Sequence, residues 1–201
     1  GDHRDLHRLI RRQRQMCIRD SMDSAQITIT VDNTPPSVDI RAPASNSFVS
    51  GNVDIRVVVN EINLDHVDLY INGSLAATWN ESDNTSTWDS TVYPDGTNVS
   101  ISAVAYDLAG NMGNETIFVT VDNTPPSVQI ISPDTGSWFN VTNITVSWVG
   151  NDTLSDIAYY EISVDSPTDY VSVGTETSYN VTNLSEGQHI IYVRAWDNAN
   201  N

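Results

Sequence analysis

The sequence predicts an all-β chain built of tandem β-sandwiches, and three observations carry that prediction. The motif Val-Asp-Asn-Thr-Pro-Pro-Ser-Val at 31–38 returns at 121–128, an offset of 90 residues. Between the two copies apolar and polar residues alternate in short runs, the period of a half-buried strand, with no helical spacing. These runs are punctuated by turn chemistry such as Asn72-Gly73 and Pro94-Asp95-Gly96. A fixed period near 90 residues is the length of one sandwich per repeat. Pro-Pro removes two backbone donors and fixes φ, so it stiffens each joint.

Taken in order, residues 25–31 alternate, with Ile27, Ile29 and Val31 on one face, and match Ile117, Val119 and Val121. They are expected to be the last strand of a preceding domain. The first full repeat then places strands at 38–40, 53–59 and 66–71. Asn72-Gly73 closes a hairpin, because both central positions of its turn need φ > 0. Strands at 74–79, 85–90, 99–105 and 115–121 follow. About seven short strands at this spacing read as an immunoglobulin-like sandwich. The second repeat follows the same plan with Ile144, Val146 and Trp148, then Ala158, Tyr160, Ile162 and Val164, then Ile191, Val193 and Ala195. Its closing strand is expected after residue 201, which leaves an open edge beside 189–196 and a less stable second repeat. A further expectation is that residues 25–31 of another molecule dock on that edge. The expected organisation is therefore 1–21, an unstructured or artefactual segment; 22–33, a strand plus linker; 34–123, a full domain; and 124–201, a domain lacking its last strand.

Charge narrows the function. The chain carries a net charge of -17 and no lysine, and six of its nine arginines lie in residues 1–19. Such a surface repels phosphate backbones and anionic headgroups, so nucleic-acid binding is excluded as an expectation. The basic stretch could form an amphipathic helix with Leu6, Leu9 and Ile10 on one side. Residues 14–21 instead resemble translated sequencing-adapter sequence, which sets the segment apart from the fold. Cys17 is the only cysteine, so the repeats hold no disulfide. No run of 18 apolar residues exists, and no membrane insertion is expected in this fragment. A secretory signal is also not evident, and the chain reads as an interior piece of a longer metagenomic product.

The motif Ala-Tyr-Asp-Leu-Ala-Gly-Asn at 105–111, with the Val-Asp-Asn-Thr-Pro-Pro that follows at 121–126, resembles the tandem Ig-like domains of large bacterial and archaeal surface proteins, of the Big and fibronectin type III-like kind. In the second repeat Asn200 stands where the first has Gly110, a change that the left-handed turn tolerates. The resemblance implies a secreted or cell-surface location, at the cell exterior, and a non-catalytic stalk, adhesin or spacer. The alternatives it leaves are a carbohydrate- or protein-binding adhesion module and a spacer attached to an extracellular hydrolase. Its implied partners are neighbouring repeats of the same chain and cell-surface glycans or proteins.

Catalytic motifs are not found. Beyond residue 21 the histidines are His66 and His189, both read as strand residues, and no nucleophile elbow, zinc motif or phosphate loop occurs. No cofactor is required, and Ca²⁺ is the one candidate. In this topology two inter-strand loops share an end with the domain's N-terminus. That end holds Asp32, Glu61, Asp65 and Asp107 at the first joint and Asp122, Asp152, Asp156 and Asp197 at the second. Recurring carboxylates could supply the hard oxygens Ca²⁺ takes. The plainer role of an Asp before Ala-Gly-Asn is to bond the turn backbone.

Ten Asn-x-Ser/Thr sequons occur, at Asn72, Asn80, Asn84, Asn98, Asn114, Asn140, Asn143, Asn151, Asn180 and Asn183. Roughly four would arise by chance, so a glycosylated exterior is expected. Of the tryptophans, Trp148 is expected inward and Trp196 outward, with Trp79, Trp88 and Trp138 near strand ends or in loops, and packing across strands is the expected role.

Overall fold

The computed structural model describes residues 25–201, so the readings made for residues 1–21 lie outside the described residues. By contacts the chain forms two units, Gly1–Asp32 and Asn33–Asn201. Residues 25–32 of the first unit carry no assigned strand, and Ile27, Ile29 and Val31 are exposed. The alternation is present in the sequence, but a strand also needs a ladder partner, and none is assigned to this segment.

The second unit holds both repeats. In the first, β1 (Ser37–Ala42), β3 (Asn52–Asn60) and β6 (Asp83–Asp89) make a three-stranded antiparallel sheet in the order β1-β3-β6. Val38 sits opposite Val59 and Ile40 opposite Val57, which puts both pairs on the inner face. The facing sheet has the order β2-β8-β7-β4-β5, from β2 (Phe48–Val49), β4 (Leu64–Ile71), β5 (Ser74–Trp79), β7 (Asn98–Asp107) and β8 (Met112–Val121). Along β7 every second residue from Val99 to Ala105 is fully buried, the period-2 pattern of a strand with one face in the core. Asn72 and Gly73 have φ of 48° and 79°, the doubly left-handed hairpin that Asn-Gly predicts.

Two features of this repeat were not legible as periodicity. The strand expected at 85–90 ends at Asp89, whose side chain caps a single 3₁₀ turn at Ser90–Val92. The other is β2, two residues that pair in parallel with β8, Phe48 opposite Thr120 and Val49 opposite Val121. Two residues are too few for an alternation to register.

The second repeat reproduces the first sheet as β9 (Ser127–Ser132), β10 (Ile144–Asn151) and β13 (Ser178–Val181), in the order β13-β10-β9. Its other sheet is β12-β11-β14, from β12 (Val171–Gly174), β11 (Ile157–Val164) and β14 (Ile191–Asp197). β14 therefore ends this sheet where β8 continues the first one. The segment answering to β2 forms no strand either, and Trp138, Phe139 and Val141 stand exposed there. The reason is the ladder: β2 exists in the first repeat because β8 gives it hydrogen-bond partners.

Each repeat has its own core. Seventeen buried residues fill the first, among them Ile55, Val57, Leu69, Val99 and Ile101, against Val146, Trp148, Tyr160, Ile162 and Val181 in the second. Each such aliphatic burial stabilises by roughly 1.5–3 kcal/mol, so the first repeat holds the larger store. The second compensates with aromatics. Trp148 meets Tyr160 edge to face at 5.9 Å, and the Tyr160 ring lies over Gly150, where a Cβ would collide with it. No helix among the described residues is long and apolar enough to cross a membrane.

Candidate functional site

The chain turns after β7 on Asp107 and after β14 on Asp197, and the two turns are near copies. Asp107 Oδ1 accepts the Ala109 and Asn111 N–H groups at 2.9 and 2.8 Å, and Oδ2 accepts the Asn111 amide at 2.8 Å. Asp197 Oδ1 accepts Ala199 and Asn201 at 2.9 and 2.8 Å, and Oδ2 accepts the Asn201 amide at 3.0 Å. Gly110 and Asn200 hold the left-handed position at φ 88° and 69°. Both carboxylates thus serve the turn, as an Asp at this place is apt to do. At Asp107 burial pushes the carboxyl up, but the bonds from Asn111, Ala109 and Gly110 outweigh it and hold the group below its ordinary value.

The linker between the repeats is tied to the first one through Asn123. Its side chain accepts from Gly51 N at 2.9 Å and from the Ser90 hydroxyl at 3.0 Å, and its N–H donates to Asp95 at 2.7 Å. The second repeat reaches back with two bonds. Asn201 donates to the Asp122 carbonyl at 2.7 Å, and the Ser50 hydroxyl donates to the Ala199 carbonyl at 2.8 Å.

Beside these bonds three carboxylates converge. Asp122 comes from the linker, Asp152 from the loop between β10 and β11, and Asp197 from the end of β14. One oxygen of each lies within 4.8 Å of the others. Asp122 and Asp197 are buried and Asp152 is half-buried. Two like charges at that separation repel by about 3 kcal/mol at an effective dielectric near 20. Asp152 Oδ2 accepts three backbone N–H groups, from Leu154, Ser155 and Asp156, at 2.8, 2.7 and 3.2 Å. Burial raises this group, and those N–H bonds overcome the effect and hold it below its ordinary value. Its other oxygen, Oδ1, is buried with no partner, as is Asp122 Oδ2.

Three of the four acidic residues expected at this joint therefore come together. Asp156 does not, because its loop uses its backbone. It is exposed, sits at φ 61°, and takes the Asn198 N–H on its carbonyl. The residues expected at the first joint do not form a second such group among the described residues. Glu61 is one methylene longer than Asp152 and folds back on its own loop, accepting Ile62 and Asn63 N–H at 2.7 and 2.9 Å. Asp65 pairs with His66 at 2.8 Å. Asp32 belongs to the first unit and is half-buried.

A family model described as "Bacterial Ig domain" matches residues 36–103, and one described as "Bacterial Ig-like domain (group 3)" matches residues 82–180. These repeats are bacterial Ig-like domains. No curated protein matches the chain. Among solved structures, the fibronectin(III)-like modules of Clostridium thermocellum CbhA are similar at 18% identity and TM-score 0.61, over 82% of this chain and 87% of that one. The chicken CNTN1 FN1-FN3 domains are similar at 18% identity and TM-score 0.50, over 83% and 60%. At these identities the likeness concerns the fold alone.

The other expected sites of the bacterial Ig-like domains are placed as follows. Nine of the ten sequon asparagines are exposed, and Asn84 is not. It falls on the inward register of β6 with Trp88, and its amide donates to the Glu81 carbonyl. His66 is in β4 and stacks on Tyr106 at 4.6 Å. His189 precedes β14 rather than lying in a strand, and it pairs with Asp165 at 2.7 Å. Trp148 is buried, as expected. Trp196 joins a surface strip that the sequence did not reveal. It stacks with Tyr159 at 6.1 Å, and Arg194 lies over Tyr170 at 3.9 Å and over Trp196 at 5.3 Å. Glu161 ties the strip together, accepting Arg194 at 2.6 Å and Trp196 at 2.8 Å. Period 2 does put Arg194 and Trp196 on one face, but Tyr170 comes from the segment before β12, which no alternation places.

Proposed function

We propose that this chain is a non-catalytic spacer from a secreted or cell-surface array, in which each repeat sets the position of the next. The observation that carries the reading is the hydrogen-bonded joint. A flexible tether needs no contacts between its modules, whereas here Asn201 grips the Asp122 carbonyl and Ser50 grips the Ala199 carbonyl. Membership of the bacterial Ig-like families supports the extracellular setting, and the acidic surface suits a solvated exterior. Small-angle scattering on the full chain tests the reading. A spacer gives one narrow distribution of maximum dimension, and paired Asn201→Ala and Ser50→Ala substitutions broaden it. A distribution already broad in the wild type would refute the stiff-spacer reading.

A second reading, a carbohydrate-binding adhesion module, is favoured by the Tyr170, Arg194, Trp196 and Tyr159 strip, since aromatic faces can stack on sugar rings. A glycan array separates the two. A spacer binds nothing, and an adhesion module loses its signal on Trp196→Ala.

A further inference from the structure

We infer that Asp122, Asp152 and Asp197 form a Ca²⁺ site that clasps the two repeats. The first ground is convergence from three separate elements, with one oxygen of each carboxylate within 4.8 Å of the others. That spread is no wider than a Ca²⁺ coordination sphere, whose opposed oxygens stand about 4.6–5.2 Å apart. The second and independent ground is the pair of orphaned oxygens. Asp122 is fully buried and its Oδ2 meets no donor, and the buried Oδ1 of Asp152 likewise meets none. Native proteins seldom leave buried carboxylate oxygens bare, because the loss of hydration is not recovered.

Among the described residues no side-chain cation compensates them. The described arginines are engaged elsewhere, Arg41 with Asp39, Arg56 with Asp83 and Arg194 with Glu161. A bound cation would supply the missing positive charge. The ligand chemistry selects its kind, since three carboxylates with no thiolate or imidazole suit a hard ion rather than zinc or copper. The protein also pre-orients the donors. Backbone N–H groups hold Asp152 Oδ2 and Asp197 Oδ1, and the Thr124 N–H holds Asp122 Oδ1 at 3.2 Å, which leaves Asp152 Oδ1 and Asp122 Oδ2 without a donor. The hydroxyl of Ser155, in the same loop as Asp152, is a further buried oxygen without a partner. Mg²⁺ demands a tighter octahedron and keeps its waters, so Ca²⁺ is favoured over it.

Because one ligand belongs to the linker and two to the second repeat, the ion fixes the angle between them and makes joint stiffness depend on calcium. The inference does not depend on the spacer reading, since a binding isotherm reports the ion whatever the array does. The test is calorimetric titration of the full chain, stripped with chelator, with CaCl₂ at constant ionic strength, alongside melting curves. Expected are one ion per chain, a rise in the melting temperature of the second repeat, and a weaker response to MgCl₂. Asp152→Asn and Asp197→Asn should each weaken binding by at least about tenfold, while Asp156→Asn leaves it unchanged. Asp122→Asn gives a control for folding. In chelator it should melt no lower than the wild type, because removing one charge relieves repulsion, yet it should lose the calcium response. Absence of any response to millimolar Ca²⁺ in the wild type would overturn the inference. So would an undiminished response in a variant with all three aspartates replaced by asparagine.

Discussion

The Asn201 side-chain amide donates both to the Asp122 carbonyl at 2.7 Å and to the Asp197 carboxylate at 3.0 Å. One residue thereby closes the turn of the second repeat and fastens it to the linker. Its counterpart Asn111 closes the matching turn of the first repeat on Asp107. Asn201→Ala removes both bonds and should lower stability by about 1–2 kcal/mol, read as a fall in the second repeat's melting temperature. An unchanged melting profile would show that the joint contributes nothing to stability.

The unequal cores predict the order of unfolding. Calorimetry should resolve two transitions, with the second repeat melting first. Trp148→Ala should cost about 3–5 kcal/mol and move only the lower transition, and Ile101→Ala about 2–5 kcal/mol and move only the upper one. A single transition shifted equally by both variants would mean that the two cores unfold as one.

His189 and Asp165 set a pH dependence. The Asp165 carboxylate and then the Ser185 carbonyl raise His189 above its ordinary 6.5, and His189 with the Ile190 N–H lowers Asp165 below its ordinary 3.8. The histidine's contribution is complete below 6.5 and is lost as pH rises through the higher folded value. The aspartate's is complete above 3.8 and is lost as pH falls through the lower one. The pair therefore stabilises the second repeat most between roughly pH 4 and 6.5. The lower transition should fall slightly from pH 6 to 8, and His189→Gln should flatten that slope. The effect is small, because both groups are partly in solvent.

Gly113 lies against the backbone of Pro36, so a Cβ there would overlap the Pro36 carbonyl. Gly113→Ala should destabilise the first repeat by about 1–3 kcal/mol, since backbone yields less readily than a side-chain tip. Denaturant melts that coincide with the wild type would contradict the close approach.

Expression in a host that glycosylates sequons, followed by peptide mass spectrometry, should find glycan at exposed sites such as Asn72 and Asn114 and none at Asn84. Its amide is buried and bonded, so modification at Asn84 would mean that β6 opens before the sugar is added.

Most strands were legible because alternation and turn residues agree. The run from Val99 to Ala105 and the Asn72-Gly73 hairpin are clear cases, since burial on one face and φ > 0 each leave a local signature. The pairing of β2 with β8 left no signature, because it depends on where a distant strand lies. The same limit applied to the acidic residues. Spacing placed four at each joint, but whether a carboxylate faces inward depends on its length and on which N–H groups take its other oxygen. Those details separate Asp152 from Glu61 and set Asp156 aside.

The parallel contact of β2 with β8 has a consequence for load. Asn46 N bonds Phe118 O, Thr120 N bonds Ser47 O and Asp122 N bonds Val49 O, at 2.7, 3.0 and 2.9 Å. The chain enters the first repeat through β1 and leaves it just after β8, so load reaches the β2–β8 pair once β1 has parted from β3. A pull on the two ends then drags β2 and β8 past each other in shear, and the bonds must fail together rather than unzip singly.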